Sequence, residues 1–314
     1  MDEADPTLDR GRRCSDVLYL SGPTASGKSA VALALARRLN AEIVSVDSMQ
    51  VYRGLDIGTA KPTVAEREEV PHHLLDIADL DSPFDAARFC RLAEEAVRGI
   101  RQRGRRILFC GGTGMYFKAW MEGVGAMPPA DPALRAELNA LPLDELLSEL
   151  ERRDPQTHAR IDRKNPRRVV RALEVVRLTG RSFVAQQSPW RSEAGASGRR
   201  PDFFYLDREP ADLEARIRAR VAAMLEAGWV EETRRALLAG LEKNATAFQA
   251  IGYRQILEHI RGQRSLAETR ELIQSRTRQF ARRQGIWFRK HGAPTRLAVA
   301  ADETAESVAS RILA

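Results

Sequence analysis

The eight residues Gly22-Pro23-Thr24-Ala25-Ser26-Gly27-Lys28-Ser29 constrain this chain more than any other stretch. They stand between an apolar run, Val17-Leu18-Tyr19-Leu20, and a helical pattern from Ala30 to Leu39. That is G-x-x-x-x-G-K-[ST] in the strand–loop–helix context that gives the pattern its meaning. The glycines let successive backbone N–H groups curl inward around an anion, and the positive end of the helix dipole adds to the field. Lys28 supplies a compact cation for a phosphate, and the Ser29 hydroxyl suits Mg²⁺. The stretch predicts a site for a di- or triphosphate at the carboxyl end of a buried strand.

The flanking chain repeats the strand–helix order. Ala41 to Asp47 reads as a second buried strand, ending in Asp47-Ser48-Met49-Gln50. Ligands in open α/β sheets sit beyond the carboxyl ends of strands, so Asp47 and Ser48 are expected to face the phosphate loop. Ser82-Pro83-Phe84-Asp85 reads as a capping box. The helix it opens would bury Phe89, Leu92, Ala93, Ala96, Val97 and Ile100. Arg105 to Cys110 reads as a third strand, ending in Gly111-Gly112-Thr113. The fold class that follows is α/β: a P-loop NTPase-like, doubly wound parallel sheet.

Between residues 123 and 200 the strand signal stops. Met127-Pro128-Pro129 breaks the pattern, Asn165-Pro166 caps a helix, and Gly180 ends it, with Val169, Val170, Leu173 and Val176 on its buried side. This segment reads as an all-helical insertion. Residues 16–122 and 201–314 are left as the core, and 1–15 as a disordered extension. In the second half, Asp202 to Leu206 reads as a strand, 210–227 as a helix and Leu297 to Val299 as a last strand. The 210–227 helix has an apolar stripe of Leu213, Ile217, Val221, Met224 and Leu225, with Arg220 the arginine nearest to it.

A net charge of +7 over 314 residues points to a polyanionic partner. The charge is concentrated in a long helix predicted from Ser265 to His291: residues 261–291 hold nine Lys and Arg against two acidic residues. No run of 18 or more apolar residues is present, and Met1 to Asp16 lacks the apolar centre of a signal peptide. Cys14, Cys90 and Cys110 are few, odd in number and far apart, as reduced thiols of a cytoplasmic protein would be. A monomer is the default expectation. His72 and His73 lack ligand-spaced partners and read as structural, and Trp287 and Phe288 read as core.

Three strand ends therefore converge: the phosphate loop, Asp47-Ser48 and Gly112-Thr113. The run Ile107-Leu108-Phe109-Cys110 ends in glycines, where an ATPase would carry a magnesium-holding acid. Either Asp47 supplies that role, as in small-molecule kinases, or the loop holds a pyrophosphate that is not hydrolysed. A kinase would leave the basic insertion and the long arginine helix without a purpose. A nucleotide-gated RNA binder would need no base at Asp47.

The phosphate loop, Asp47-Ser48 with Gln50-Val51-Tyr52-Arg53-Gly54, Asp56-Ile57-Gly58-Thr59-Ala60-Lys61-Pro62 and Gly111-Gly112-Thr113 together resemble the bacterial tRNA dimethylallyltransferases. Further matches are Asn165-Pro166-Arg167-Arg168, Arg171-Ala172-Leu173-Glu174, Gly252-Tyr253-Arg254, Thr277-Arg278-Gln279 and Arg282-Arg283-Gln284. The resemblance spans roughly residues 17 to 291 and lacks the C-terminal zinc finger of the eukaryotic members. It implies transfer of a dimethylallyl group from dimethylallyl pyrophosphate to the exocyclic amine of the adenosine 3′ of the anticodon, in tRNAs reading codons that begin with U. It implies Asp47 as general base, Thr24 on the bridging oxygen of the leaving group, and Lys28, Arg220 and Mg²⁺ on Ser29 around the pyrophosphate. Thr113 would line the channel that receives the flipped base. The tRNA anticodon stem-loop would be held by Arg167, Arg168, Arg171, Arg278, Arg282 and Arg283. Asp47, Ser48, Met49, Gln50, Gln249, Gly252, Tyr253 and Arg254 would also contact the tRNA, with Tyr253 and Arg254 reading the loop by stacking and hydrogen bonds.

Overall fold

Among the residues described, six strands form one sheet: β1 (Val17–Ser21), β2 (Ala41–Val46), β3 (His72–His73), β4 (Arg106–Gly111), β5 (Asp202–Asp207) and β6 (Thr295–Ala298). All neighbours are parallel, in the order β3-β2-β4-β1-β5-β6. This computed structural model describes residues 16–123, 127–186, 202–291 and 294–314. The expected extension 1–15, with Cys14, and the break from Ser192 to Pro201 lie outside the described residues. The chain divides into two compact units, one of Met1–Lys118 with Ala194–Ala314 and one of Ala119–Glu193.

In the first unit, α1 (Lys28–Leu39), α2 (Val64–Glu69), α3 (Ala86–Gln102) and α4 (Gly114–Glu122), which runs on past Lys118, alternate with the first four strands. The second unit holds helices only among its described residues: α5 (Pro132–Ala140), α6 (Leu143–Arg153), α7 (Pro155–Arg160), α8 (Pro166–Thr179) and α9 (Phe183–Gln186). The first unit resumes with β5, α10 (Pro210–Glu226), α11 (Trp229–Leu238), α12 (Tyr253–Ile260), α13 (Leu266–Lys290), β6 and α14 (Ala305–Leu313).

Parallel strands are covered on both faces, and β1 shows how. Leu18 and Leu20 pack with Val31 and Leu35 of α1 and with Val308 and Ile312 of α14. Tyr19 turns to the opposite face, stacking on Phe109 at 5.2 Å and meeting Phe117 and Phe203 edge-on. Phe288 of α13 closes that aromatic layer against Phe117 and Phe203. In the second unit Leu138, Leu146, Leu150, Val169, Val170 and Leu173 form a separate core. Its helix α8 starts as expected, with the Asn165 side chain accepting the Arg168 N–H and Pro166 in the first turn, and it ends at Gly180.

Two local expectations are corrected. Helix α3 begins at Ala86, and its cap is Asp85, which accepts the Arg88 N–H at 2.8 Å. Ser82 is not the cap because its carbonyl is taken by Asn244 and its hydroxyl by Asp81, so the turn before the helix is held by tertiary contacts. A two-residue strand also forms at His72–His73, too short to leave a periodic signal. Both histidines are structural, as expected: His72 Nδ1 meets the Val70 carbonyl, and His73 Nε2 meets the Glu42 carboxylate, which Arg103 also binds.

Candidate active site

The phosphate loop has the backbone its sequence requires. Gly27 adopts φ +92 at the cap of α1, and Ala25 takes the left-handed region at φ +66. Two arginines from beyond β5 hold the loop by its carbonyls: Arg208 Nε donates to Ser26 O and Arg216 Nε to Ala25 O, both at 2.8 Å. The loop is therefore shaped in advance by guanidinium groups rather than left for an anion to organise. Ala25, Gly27, Lys28, Ser29, Arg216 and Arg220 line a cavity of about 350 Å³ at this point.

Electrostatics there favour an anion. Burial lowers the Lys28 ammonium from its ordinary value, aided by the Arg220 charge and opposed by Cys110 and Asp47. Burial likewise lowers Arg220, with Arg216 adding to the shift and Asp47 opposing it. Two desolvated cations facing one cavity are stabilised by any diphosphate that enters. Cys110, behind the loop, is pushed up to about 11 by burial and stays a thiol. A small hard cation here would be held by the Ser29 hydroxyl and by the phosphate oxygens of a ligand, the coordination Mg²⁺ commonly takes. Among the described residues no three His, Cys, Asp or Glu side chains gather to form a separate metal site.

Asp47 directly follows β2, as expected. Its Oδ1 accepts the N–H groups of Met49 at 2.8 Å and Gln50 at 3.2 Å, which fixes the carboxylate on its own turn. Its charge acts on both Lys28 and Arg220, so the carboxylate lies within electrostatic reach of both cations. Thr113, at the end of β4, accepts the Ser48 N–H on its Oγ1 at 3.1 Å and donates its own N–H to Val46. The three strand ends named from the sequence are thus brought together.

The residues expected to hold nucleic acid divide into three groups. Gln249, Arg254 and Arg283 line one cavity of about 440 Å³ together with Arg264 and Arg276. Arg278 and Arg282 line another, of about 380 Å³, where Arg278 also pairs with Glu214 at 2.9 Å. Arg167 and Arg168 are exposed on α8.

Four expectations are corrected by burial and pairing. Tyr253 is fully buried, packs edge-on against Trp229 and donates its hydroxyl to Glu232 at 2.7 Å, so its ring is not available to stack on a base. Gly252 is buried beside it, where a Cβ would strike Trp229. Arg171 is committed to Glu174 and to the Pro128 carbonyl. Glu174 is fully buried; burial works against its charge, but Arg171, Arg135 and the Asp131 N–H outweigh that and hold it below the ordinary carboxylate range. The Gln50 amide is likewise occupied, accepting from Ser45 Oγ and donating to the Thr59 and Ala60 carbonyls.

Three residues at the site were given no role from sequence. Arg208 directly follows β5, and Arg216 lies one helical turn before Arg220; both positions were legible as strand end and helix face. Gln284 on α13, matched from the sequence only within Arg282-Arg283-Gln284 and given no role there, reaches the site across the fold.

Fold and site define a parallel α/β protein with a P-loop-like phosphate cradle and a carboxylate set against it. The family model "IPP transferase" matches residues 50–291. A tRNA dimethylallyltransferase 1 of Trichlorobacter lovleyi is 44% identical over 283 residues, covering 88% of this chain and 92% of the relative. The tRNA dimethylallyltransferase of Deinococcus radiodurans is 45% identical over 284 residues, 86% of this chain and 89% of the relative. The full-length tRNA isopentenylpyrophosphate transferase structure from Bacillus halodurans superposes with a TM-score of 0.67 at 36% identity, over 94% of this chain and 95% of that one. A eukaryotic dimethylallyltransferase solved acting on tRNA gives a TM-score of 0.74 at 26% identity, over 90% of this chain and 74% of that one. The chain belongs to the tRNA dimethylallyltransferase family, and it is a prenyltransferase.

Proposed function

We propose that this enzyme transfers the dimethylallyl group of dimethylallyl pyrophosphate to the exocyclic amine of the adenosine immediately 3′ of the anticodon, in tRNAs reading codons that begin with U. The observation that carries this reading is the meeting of two desolvated cations, Lys28 and Arg220, at one cavity beside the phosphate loop, with the Asp47 carboxylate near enough for its charge to act on both. The loop amides, Lys28 and Arg220 stabilise charge as it develops on the leaving diphosphate. Thr24 contacts the oxygen that departs. Mg²⁺ held by Ser29 with the diphosphate supplies further charge neutralisation when bound.

As the C–O bond to the diphosphate breaks, a bond forms from the adenine nitrogen to the same carbon. The nitrogen then sheds a proton, which Asp47 accepts; a positioned base of this kind contributes typically about 10²–10⁴-fold. A base stacked in the anticodon loop cannot reach this carbon, so it is flipped out, and Thr113 lines its channel. Exposed Arg167, Arg168, Arg254, Arg282 and Arg283 grip backbone phosphates, which fits the chain's net charge of +7. The test is mass spectrometry of nucleosides from undermodified tRNA after incubation with the protein and donor. The expected result is a dimethylallyl group gained on one adenosine. Consumption of ATP on a metabolite with no prenylated adenosine would overturn the reading.

A further inference from the structure

Gln284 of α13 is buried, only 7% exposed. Its Oε1 accepts the Thr24 N–H at 2.9 Å, and its Nε2 donates to the Gly112 carbonyl at 2.9 Å. A donor faces the oxygen and an acceptor faces the nitrogen, so a flipped amide would lose both bonds. Its partners are 260 and 172 residues away in the chain.

Those partners belong to the two halves of the site. Thr24 is in the phosphate loop, while Gly112 precedes Thr113, whose hydroxyl oxygen holds the Ser48 N–H next to Asp47. The β1–β4 register ends with Ser21 opposite Gly111. Gln284 bridges the chains beyond that last pair. Gly112 makes room for the bridge, since a Cβ there would strike Gln284 Nε2.

We propose that Gln284 is a positioning residue that fixes the phosphate loop against the Gly112–Thr113 turn, and through Ser48 against Asp47. The proposal rests on the prenyl-transfer reading, which needs leaving group and base in one geometry. A misplacement of about 1 Å can cost on the order of 10²-fold in rate. Diphosphate affinity depends instead on Lys28, Arg220 and loop amides other than that of Thr24, which Gln284 already occupies.

The test uses the full chain with Q284E and, independently, G112A. Q284E keeps the side chain's size and its acceptor for Thr24 but sets an oxygen against the Gly112 carbonyl. G112A displaces the same amide from the other side and serves if Q284E does not fold. Three quantities are read: kcat for prenyl transfer, the Kd for inorganic pyrophosphate, and amide exchange at Thr24. The expected result is a kcat lowered on the order of 10²-fold, pyrophosphate affinity changed by less than about threefold, and faster Thr24 exchange. An unchanged kcat overturns the proposal, as does pyrophosphate affinity reduced in proportion to kcat. Should the wild-type chain fail to prenylate tRNA, the functional reading falls by itself. Thr24 exchange then still tests the bridge, and exchange unaltered in both variants overturns it.

Discussion

The Thr113 hydroxyl oxygen accepts the Ser48 N–H at 3.1 Å, so the residue after Asp47 is anchored to the end of the neighbouring strand. The carboxylate's own bonds to Met49 and Gln50 are local, and Thr113 ties that local turn to the sheet. The position of Asp47 is thus a property of two strands, and its chemistry can be separated from its structural part.

Asp47→Asn keeps an oxygen to accept from Met49 and Gln50 but cannot take a proton. It is expected to lower kcat by about 10²–10⁴-fold with little change in thermal stability. Steady-state kinetics beside a melting curve checks this. A variant that loses stability but not turnover would make Asp47 a turn residue only.

Arg220→Gln removes one of the two desolvated cations at the loop. Pyrophosphate affinity is expected to fall about tenfold or more, since a buried charged hydrogen bond is worth roughly 1.5–3 kcal/mol. Arg216→Gln loses the bond to the Ala25 carbonyl as well as a charge, and should slow donor turnover as the loop loosens. Calorimetric titration of pyrophosphate into each variant measures the difference.

Exposed and committed arginines should behave differently. Replacing Arg282 and Arg283 by glutamine is expected to flatten the slope of log K against log salt for tRNA binding, by roughly 0.7–0.9 for each phosphate no longer neutralised. Arg171→Gln should leave that slope in place and instead lower folding stability by about 1.5–3 kcal/mol, because it strips a partner from buried Glu174. Binding measured at several salt concentrations, together with urea unfolding, separates the two.

Acid should reveal Glu42. Its side chain is buried beneath Arg103 and His73, and chiefly the Arg103 hydrogen bonds hold the carboxyl down at about 2, against 4.5 ordinarily. The folded value lies below the unfolded one, so the contribution is complete above the ordinary carboxylate range and is lost as pH falls from about 4.5 toward about 2. Its size is on the order of 3 kcal/mol. The stability gap between wild type and Glu42→Gln, measured by urea unfolding, should therefore be wide at neutral pH and shrink in acid. An equal gap at both would contradict this pairing.

The phosphate loop, Asp47 and the Gly111-Gly112-Thr113 turn were legible because each is a short motif at a strand's carboxyl end. Parallel topology brings such ends together whatever lies between. Helix α8 was legible for a similar reason: its caps, Asn165-Pro166 and Gly180, are local signals. The fate of a long polar side chain is not a local matter. Tyr253 and Arg254 are adjacent in a motif read as one unit, yet one is fully buried against Trp229 and the other is exposed.

The sequence by itself determined that a P-loop-like turn, an aspartate at a strand end and a parallel sheet exist here, because backbone conformation and hydrophobic period are written over a few residues. Only the tertiary structure decided which arginines hold the loop, that Arg171 serves Glu174, and that Gln284 joins Thr24 to Gly112. Those pairings span up to 260 residues of chain, and a hydrogen bond depends on where two atoms end up, which no local spacing encodes.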